Sequence, residues 1–144
     1  MNNVKLDIKD PLVLILLSTF NGQNYLNVLL DSLINQCYTN YKLIIRDDGS
    51  TDNSLDIINQ YKDKYPQKIV LDTTISKNMG FSKSFLYLLN NVHDKSYTMF
   101  CDQDDFWFPE KVRKFVNKIS DWQTKISQPK PILVFGDMYI TNGD

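Results

Sequence analysis

The sequence contains little of several residue types that define specialised classes of protein. Its 144 residues include two cysteines, Cys37 and Cys101, and a single histidine. These two cysteines form neither a CxxC motif nor the spacing of a disulfide framework, so we expect free thiols in a reducing compartment. One histidine excludes a histidine-rich zinc site and any catalytic pair of histidines. A metal site in this chain would therefore depend mainly on oxygen ligands.

The chain also lacks an excess of charge of either sign and any long hydrophobic run. Sixteen basic and 17 acidic residues give a formal net charge of −1, which does not indicate a nucleic acid as the partner. The apolar run PLVLILL is far too short to cross a bilayer and has no basic flank or cleavage site. We expect a cytoplasmic protein with one domain over residues 1–144, in which residues 1–10 form a flexible N-terminus.

What the sequence does contain is an alternation of two apolar patterns. Residues 12–17 are an unbroken apolar run, typical of a strand that is covered on both faces. Further strands are predicted at 41–48, 68–72, 96–102 and 132–140. Apolar residues at helical spacing predict helices between them: Leu26, Leu29, Leu30 and Leu33; Leu55, Ile58 and Tyr61; Phe81, Phe85, Leu88 and Leu89; Val112, Phe115, Val116 and Ile119. Strands alternating with helices predict an α/β fold with an open, mostly parallel sheet flanked by helices.

Polar clusters follow three of the predicted strands. STFNG follows the first strand, RDDGSTD ends the second, and DQDD ends the fourth. Open α/β sheets bind their ligands outside the carboxyl ends of the strands. We therefore expect the three clusters to contribute to one site.

The DQDD cluster has the composition of a site for a hard divalent cation. In an extended segment Asp102 and Asp104 point to one side and Gln103 to the other. Mg²⁺ and Mn²⁺ commonly take one or two protein carboxylates and complete their coordination with water and phosphate oxygens. The alternative is a solvated acidic loop in which Asp105 caps the next helix. The adjacent aromatic residues favour the metal site, although they could equally belong to the core: Phe106, Trp107 and Phe108.

The other two clusters are compatible with a nucleotide but do not require one. Asp47 and Asp48 suit a strand–turn–helix connection without any ligand, yet a carboxylate here could also accept hydrogen bonds from a nucleobase or a ribose. STFNG has one glycine and is neither a GxGxxG nor a Walker loop. Any bound phosphates would need a metal at Asp104 and a basic side chain, for which Lys77 and Lys83 are candidates.

The quoted motifs together resemble a known family. LLSTFNGQNYL, YKLIIRDDGSTDNS, NMGFSKSF and FCDQDDFWFPEKV, in this order and spacing, are similar to the inverting family 2 glycosyltransferases of the GT-A fold, a Rossmann-like fold for nucleotide diphosphate sugars. The similarity runs from about Leu12 to Val116. CDQDDFW and IIRDDGSTD most resemble the bacterial branch that includes rhamnosyltransferases of capsule and O-antigen assembly.

The resemblance implies roles for particular residues on the nucleotide side. Residues after the first strand would line the nucleotide pocket: Ser18, Thr19, Phe20 and Asn21. Phe20 stands where the family often has tyrosine. Asp48, with Asp47 beside it, would contact the base. Many members carry an arginine that contacts the diphosphate, at the position of Phe85 here. Lys83 would make this contact instead.

On the metal side, the resemblance makes residues 102–104 the DXD motif. Asp104 would be the direct ligand of Mg²⁺ or Mn²⁺, and Asp102 would lie near the ribose and the waters of the metal. Asp105 would support these two acids. The metal would stabilise the diphosphate leaving group as a Lewis acid.

The implied reaction transfers a sugar from a UDP- or dTDP-linked donor to a saccharide or lipid-linked acceptor in bacterial surface polysaccharide synthesis. Inversion requires a general base to deprotonate the acceptor, and in the family this acid lies well downstream of the DXD motif. Asp137 and Asp144 come too early. We therefore expect a chain, either truncated or naturally short, that carries the donor site, with the general base beyond residue 144 and the acceptor half missing.

Other functions stay open at this point. A non-catalytic nucleotide-sugar-binding or interaction module is the main alternative. A sugar-phosphate nucleotidyltransferase would need a glycine-rich basic loop after the first strand, which STFNGQN does not supply. A phospho-receiver domain would need its acids after strands one and three, whereas the acids here follow strands two and four. Both are minor alternatives. A basic helical face indicates either solubility or contact with a membrane surface or an acidic substrate: Lys111, Arg113, Lys114 and Lys118. A sheet edge exposed by a missing half would favour a homo-oligomer.

A first prediction follows from the absent general base. The 144-residue chain should bind a nucleoside diphosphate with Mg²⁺ or Mn²⁺ but transfer sugar poorly or not at all. Product formation by the purified chain over many turnovers, measured with a labelled donor, would contradict it.

Overall fold

A computed structural model of the chain describes residues 10–75, 77–92, 97–125, 132–134 and 136. Strands and helices alternate within these residues as the sequence predicts. Their order is β1 (Val13–Thr19), α1 (Leu26–Ile34), β2 (Tyr41–Asp47), α2 (Ser54–Lys64), β3 (Ile69–Asp72), α3 (Phe81–Asn90), β4 (Tyr97–Cys101) and α4 (Lys111–Gln123).

The predictions for the two ends of the chain can be compared with the structure only in part, because most of their residues lie outside the described ones. Residues 132–134, predicted as the start of a last strand, have no regular structure, so the prediction is wrong for them. The rest of that segment lies outside the described residues except for residue 136, as do Asp137 and Asp144. Of the expected flexible N-terminus only Asp10 is described, and its carboxylate forms an ion pair with Arg113 at 2.8 Å. No helix in the described part of the chain is long and apolar enough to cross a membrane.

The four strands of the described residues form one parallel sheet in the order β3-β2-β1-β4. From β1 the chain moves outward through α1 to β2 and through α2 to β3. It then returns through α3 to place β4 on the opposite side of β1. The strand order therefore reverses between β1 and β4, and a crevice at such a reversal is where open α/β sheets bind ligands.

The core lies on both faces of β1, whose seven residues are all buried. One face packs against α1, α2 and α4, and its centre is formed by Val13, Ile15 and Leu17. The opposite face places Leu14 and Leu16 against Leu88 of α3. Burial on two faces explains why residues 13–17 are continuously apolar, and the two polar residues, Ser18 and Thr19, come at the carboxyl end of the strand.

The helices form where the apolar spacing predicts them, but not all of the apolar residues that mark them are buried. The predicted leucines of α1 are buried, as are Val112, Val116 and Ile119 of α4. Leu55, Phe81 and Leu89 lie on the predicted helices α2 and α3 but are 41%, 66% and 40% exposed. The buried face of α3 is formed by Ser84 and Leu88, and the small serine allows this helix to approach the end of β1.

The connection between β4 and α4 is fixed to α1 by a buried glutamine. Gln36 is 5% exposed, and its Nε2 donates to the carbonyl oxygens of Trp107 (3.3 Å) and Phe108 (2.9 Å). Its Oε1 accepts a hydrogen bond from the backbone N–H of Val112 at 3.1 Å. The backbone N–H of Trp107 donates to Ser32 Oγ on α1, and Gln36 lies two residues after the end of this helix. The segment after β4 therefore has a defined position relative to the sheet.

We predict that Gln36→Leu destabilises the protein by about 1–3 kcal/mol, because it leaves buried backbone groups of residues 107–112 without a partner. Urea unfolding followed by circular dichroism measures the change. Gln60→Leu, on the exposed side of α2, is the matched control and should change stability little. An equal effect of the two substitutions would contradict the role of Gln36.

Candidate functional site

A cleft of about 540 Å³ lies at the carboxyl ends of β1 and β4. It is lined by Ser18, Thr19, Phe20, Asp48, Asn78, Gly80, Phe81, Asp102, Gln103 and Asp104. All three polar clusters of the sequence thus contribute to it, as predicted. A second groove, of about 500 Å³, lies beside β3 and α3, and Asp72 is the one acid among the residues that line it. The paired acids are in the first cleft.

The wall that follows β1 combines two buried hydroxyls with an exposed ring. Ser18 Oγ donates to Ser84 Oγ of α3 at 2.6 Å. Thr19 is 2% exposed, whereas the side chain of Phe20 is 45% exposed. These predicted nucleotide-pocket residues therefore do line one common cleft.

Asn21, predicted for the same pocket, is not among the residues that line the cleft. Its backbone is left-handed, with φ of 50°, a conformation that asparagine tolerates better than most residues. Its Oδ1 accepts a hydrogen bond from the backbone N–H of Thr51 at 2.9 Å. Asn21 therefore connects the turn after β1 to the turn before α2.

The two acids at the end of β2 have different surroundings. Asp47 does not line the cleft, and its carboxylate accepts hydrogen bonds from the backbone N–H groups of Gly49 and Ser50. Asp48 lines the cleft but is only 2% exposed. Its carboxylate forms a buried ion pair with Arg46 at 2.8 Å.

Asp48 and Arg46 together hold the segment before α3. The Asp48 carboxylate accepts the backbone N–H groups of Met79 and Gly80, each at 2.8 Å. Arg46 donates to the carbonyl oxygens of Ile75 and Lys77. Gly80 has a φ of 80°, which strongly favours glycine. This pair therefore positions residues 78–81, three of which line the cleft.

The segment after β4 brings its acids to the opposite wall. Asp102 and Asp104 are exposed and line the cleft. Partial desolvation of its carboxylate raises the pKa of Asp102, and the neighbouring carboxylates of Asp105 and Asp104 raise it further, while Lys111 lowers it. Asp105 accepts a hydrogen bond from the indole N–H of Trp107 at 3.1 Å. It does not cap α4, which begins at Lys111, so the capping part of that alternative is wrong, whereas the solvated acidic loop stays open.

Gln103 differs most from the sequence prediction. The strand ends at Cys101, and a turn closed by the Asp105 N–H and the Asp102 carbonyl oxygen follows. Side chains do not alternate there, so Gln103 lines the same cleft as its two neighbours instead of pointing to the other side. Its Oε1 accepts hydrogen bonds from Thr19 Oγ1 at 2.8 Å and from the Phe20 backbone N–H at 2.9 Å.

No lysine or arginine is among the described residues that line the cleft. Lys83, the predicted diphosphate ligand, is exposed on α3 and does not line it. Phe85 packs edge-on against Phe81 and Phe100, with ring centroids 5.0 and 5.5 Å apart. Arg46 is buried and paired. The described lining of the cleft consequently has two exposed carboxylates and no cationic side chain, although Lys111 lies near enough to lower the pKa of Asp102.

The oxygen ligands of this wall suit Mg²⁺ or Mn²⁺. Within the described ranges, no three His, Cys, Asp or Glu side chains are grouped as a complete metal site. A metal that takes one or two carboxylates and completes its shell with water and phosphate oxygens needs no such group. The residues that fit this binding mode are Asp102 and Asp104.

Comparison with known proteins agrees with this architecture. The model of the family described as Glycosyl transferase family 2 matches residues 14–142 and confirms the resemblance drawn from the motifs. The chain is 32% identical over 103 residues to the dTDP-rhamnosyl transferase RfbG of Shigella flexneri. It is 33% identical over 118 residues to the poly(ribitol-phosphate) beta-glucosyltransferase of Bacillus spizizenii. These matches cover 70% and 81% of this chain but only 36% and 18% of the relatives, so the chain spans about a third of their length or less.

Solved structures confirm the GT-A fold. S. aureus TarS 1–349 superposes with a TM-score of 0.63 and 26% identity, over 76% of this chain and 32% of that one. The mannosyltransferase PcManGT of Pyrobaculum calidifontis, in complex with GDP-Man and Mn²⁺, gives a TM-score of 0.66 at 19% identity, over 78% and 33%. The second likeness shows the fold alone.

We predict that Arg46→Met lowers the free energy of unfolding by about 3–5 kcal/mol, because it leaves the buried Asp48 carboxylate without its cation. Arg113→Met, which breaks the exposed pair with Asp10, is the matched control and should cost about 0–1 kcal/mol. Urea titration of both variants measures the difference. Comparable losses would show that the buried pair contributes no more than a surface pair.

Proposed function

This chain belongs to glycosyl transferase family 2, and from that premise we propose that its cleft binds a nucleotide diphosphate sugar as the donor for transfer to a saccharide acceptor. The whole reaction is proposed for the protein of which these 144 residues form the donor site. The support is the position of the cleft at the reversal of strand order, its size, and the meeting of three motifs there.

The observation that carries the proposal is the charge of the cleft. Asp102 and Asp104 are exposed on one wall, and no cationic side chain lines the cleft among the described residues. A diphosphate would be repelled by these carboxylates, whereas a divalent cation between them and the phosphates would be attracted to both. We therefore propose a metal-dependent donor site, with Asp104 as direct ligand of Mg²⁺ or Mn²⁺ and Asp102 beside the metal waters and the ribose.

The remaining residues of the cleft would bind and orient the nucleoside. The exposed rings of Phe20 and Phe81 offer apolar surface to the base. Asp48 Oδ2 accepts one described hydrogen bond, from Gly80, and a carboxylate oxygen can accept a second, from a base or a ribose hydroxyl. Asp48 thus both positions residues 79 and 80 and stays our candidate for the base contact. Ser18 and Thr19 would place hydroxyl oxygens beside the ribose.

Asn21, Asp47 and Lys83 have weaker support as ligand residues. The first two are engaged in turn hydrogen bonds, and their proposed role is to shape the pocket from behind. Lys83 would have to reach the phosphates from its exposed position on α3.

A bound metal would supply Lewis-acid stabilisation of the diphosphate leaving group. Inversion also needs a general base, which stays predicted beyond residue 144. Cytoplasmic location, contact with a membrane surface and self-association stay predictions as well.

The substrate class is proposed from the relatives' names. RfbG is named a dTDP-rhamnosyl transferase and its B. spizizenii counterpart a beta-glucosyltransferase for poly(ribitol-phosphate), and TarS has been solved with UDP-GlcNAc. We propose a UDP- or dTDP-linked hexose or deoxyhexose as donor. A polymeric or lipid-linked saccharide of the bacterial surface, such as a capsule or an O-antigen, would be the acceptor.

The test is isothermal titration calorimetry of the chain with UDP, dTDP and their sugar conjugates, with and without Mn²⁺. We expect Mn²⁺ to raise nucleotide affinity by about tenfold or more, equivalent to about 1.4 kcal/mol. Asp104→Ala should abolish this increase. Asp63→Ala, an exposed acid on α2, should leave it unchanged.

Two results would oppose the proposal in different ways. If no nucleotide binds under either condition, the donor site is wrong. If nucleotide binds equally to the wild type and Asp104→Ala and Mn²⁺ adds nothing, the metal site is wrong. Donor hydrolysis or transfer by a longer protein containing this chain, and its loss in Asp104→Ala, would separate an enzyme from a non-catalytic binding module.

A further inference from the structure

One side-chain oxygen joins the two walls of the cleft. Gln103 Oε1 accepts hydrogen bonds from the Thr19 hydroxyl and from the backbone N–H of Phe20. Thr19 is the last residue of β1, and Gln103 follows the end of β4 by two residues. Because a backbone N–H can only donate, the atom that faces Phe20 must be the amide oxygen. The contact therefore connects the wall at Thr19–Phe20 with the wall at residues 102–104.

Gly22 packs directly against this contact. A Cβ at Gly22 would lie 2.7 Å from Thr19 Oγ1 and 2.8 Å from Gln103 Oε1, which is closer than real Cβ atoms approach polar atoms. The backbone N–H of Gly22 donates to the buried Ser54 Oγ at 2.8 Å, so α2 holds this backbone in place. A side chain here would have to push the hydrogen-bonded atoms apart.

Gln103 makes the contact between two carboxylates without adding charge to them. Asp102 and Asp104 flank it in the chain and line the same cleft. A lysine or arginine could not accept the two hydrogen bonds, and a glutamate would accept them but add a further negative charge. Glutamine supplies the acceptor and stays neutral.

We propose that Gln103 is a positioning residue that fixes the distance between the nucleotide wall and the metal wall. This inference rests on the proposed function, since it takes the nucleoside to bind near Thr19 and Phe20 and the metal near Asp102 and Asp104. A nucleoside diphosphate held by a metal spans both walls at once. A metal ion bound alone would contact only the metal wall. A nucleotide bound without metal would contact only the nucleotide wall, through its nucleoside.

The role has a specific consequence for the coupling between metal and nucleotide. Coupling is the factor by which Mn²⁺ raises the affinity for UDP, and by linkage UDP raises the affinity for Mn²⁺ by the same factor. Without the Gln103 contact, this factor should fall while the separate affinities for UDP and Mn²⁺ change little. A purely structural role would instead lower stability and all the affinities together.

The experiment is calorimetric titration of the 144-residue chain with UDP, Mn²⁺ and both, for three variants of Gln103. Gln103→Met keeps the length but removes the acceptor, and Gln103→Asn keeps the amide but is one methylene too short. Both should lower the coupling factor about tenfold, as expected for two lost hydrogen bonds. Gln103→Glu keeps the acceptor and should retain the coupling within about threefold, with a separate rise in affinity for Mn²⁺ alone. Gln60→Met, on the exposed side of α2, is the matched control.

Gly22→Ala tests the same contact without changing Gln103. Its Cβ should force the two polar atoms apart and lower the coupling factor as Gln103→Met does, and circular dichroism checks that each variant is folded. If the Gln103 variants do not fold, Gly22→Ala decides the question, with Gln60→Met as its reference.

The outcomes separate this inference from the proposed function. If Mn²⁺ does not change the UDP affinity of the wild type, the proposed metal-dependent donor site fails, and the role of Gln103 fails with it. If the wild type shows coupling and the Gln103→Met, Gln103→Asn or Gly22→Ala proteins retain it in full, only the positioning role is overturned.

Discussion

The pairing of β1 with a parallel strand on each side is the constraint on which the rest of the structure depends. β1 pairs with β2 from Val13 to Thr19 and with β4 from Val13 to Leu17. Parallel pairing brings the carboxyl ends of all three strands to one edge of the sheet, although the motifs that follow them are tens of residues apart in sequence. The burial of β1 on both faces fixes its register, since a shift would move apolar residues away from the helices that cover them.

Once the acids meet at this edge, their surroundings divide them into two groups. Asp48 is neutralised by Arg46 and by backbone N–H groups, and Asp47 is satisfied by its own turn. These contacts hold the loops that shape the cleft. Asp102 and Asp104 are exposed, and Lys111 only partly offsets the desolvation and the repulsion from Asp105 and Asp104 that raise the pKa of Asp102. Protein groups thus stabilise the first pair, whereas we propose that a cation stabilises the second.

The sequence predicts those features of the site that follow from the pattern of a single strand or from the topology of the sheet. It does not predict features that depend on how a loop or a helix packs against the rest of the protein. The burial of β1 and the polar clusters at three strand ends are visible in the sequence because strand periodicity and parallel topology dictate them. Arg46 could have been noticed as a charge inside an apolar strand, but its partners on residues 75–80 depend on how the next loop folds back. Gln103 was placed on the wrong side because alternation ends with the strand at Cys101. The exposure of Phe81 and Leu89 likewise depends on how α3 lies against the sheet.

The position of Gln103 gives a physical reason for a neutral residue between the two acids. The two walls of the cleft belong to strands that pair only as far as Leu17 and Cys101, so backbone hydrogen bonds of the sheet do not hold Thr19 against residue 103. A side chain must bridge the gap, and it must accept from both a hydroxyl and an N–H. Beside carboxylates that already repel one another, the acceptor that adds no charge is an amide or a hydroxyl, and a serine or threonine hydroxyl is too short to reach across. The residue at position 103 must therefore be uncharged and long enough for its acceptor to reach Thr19 and Phe20, and glutamine meets both conditions.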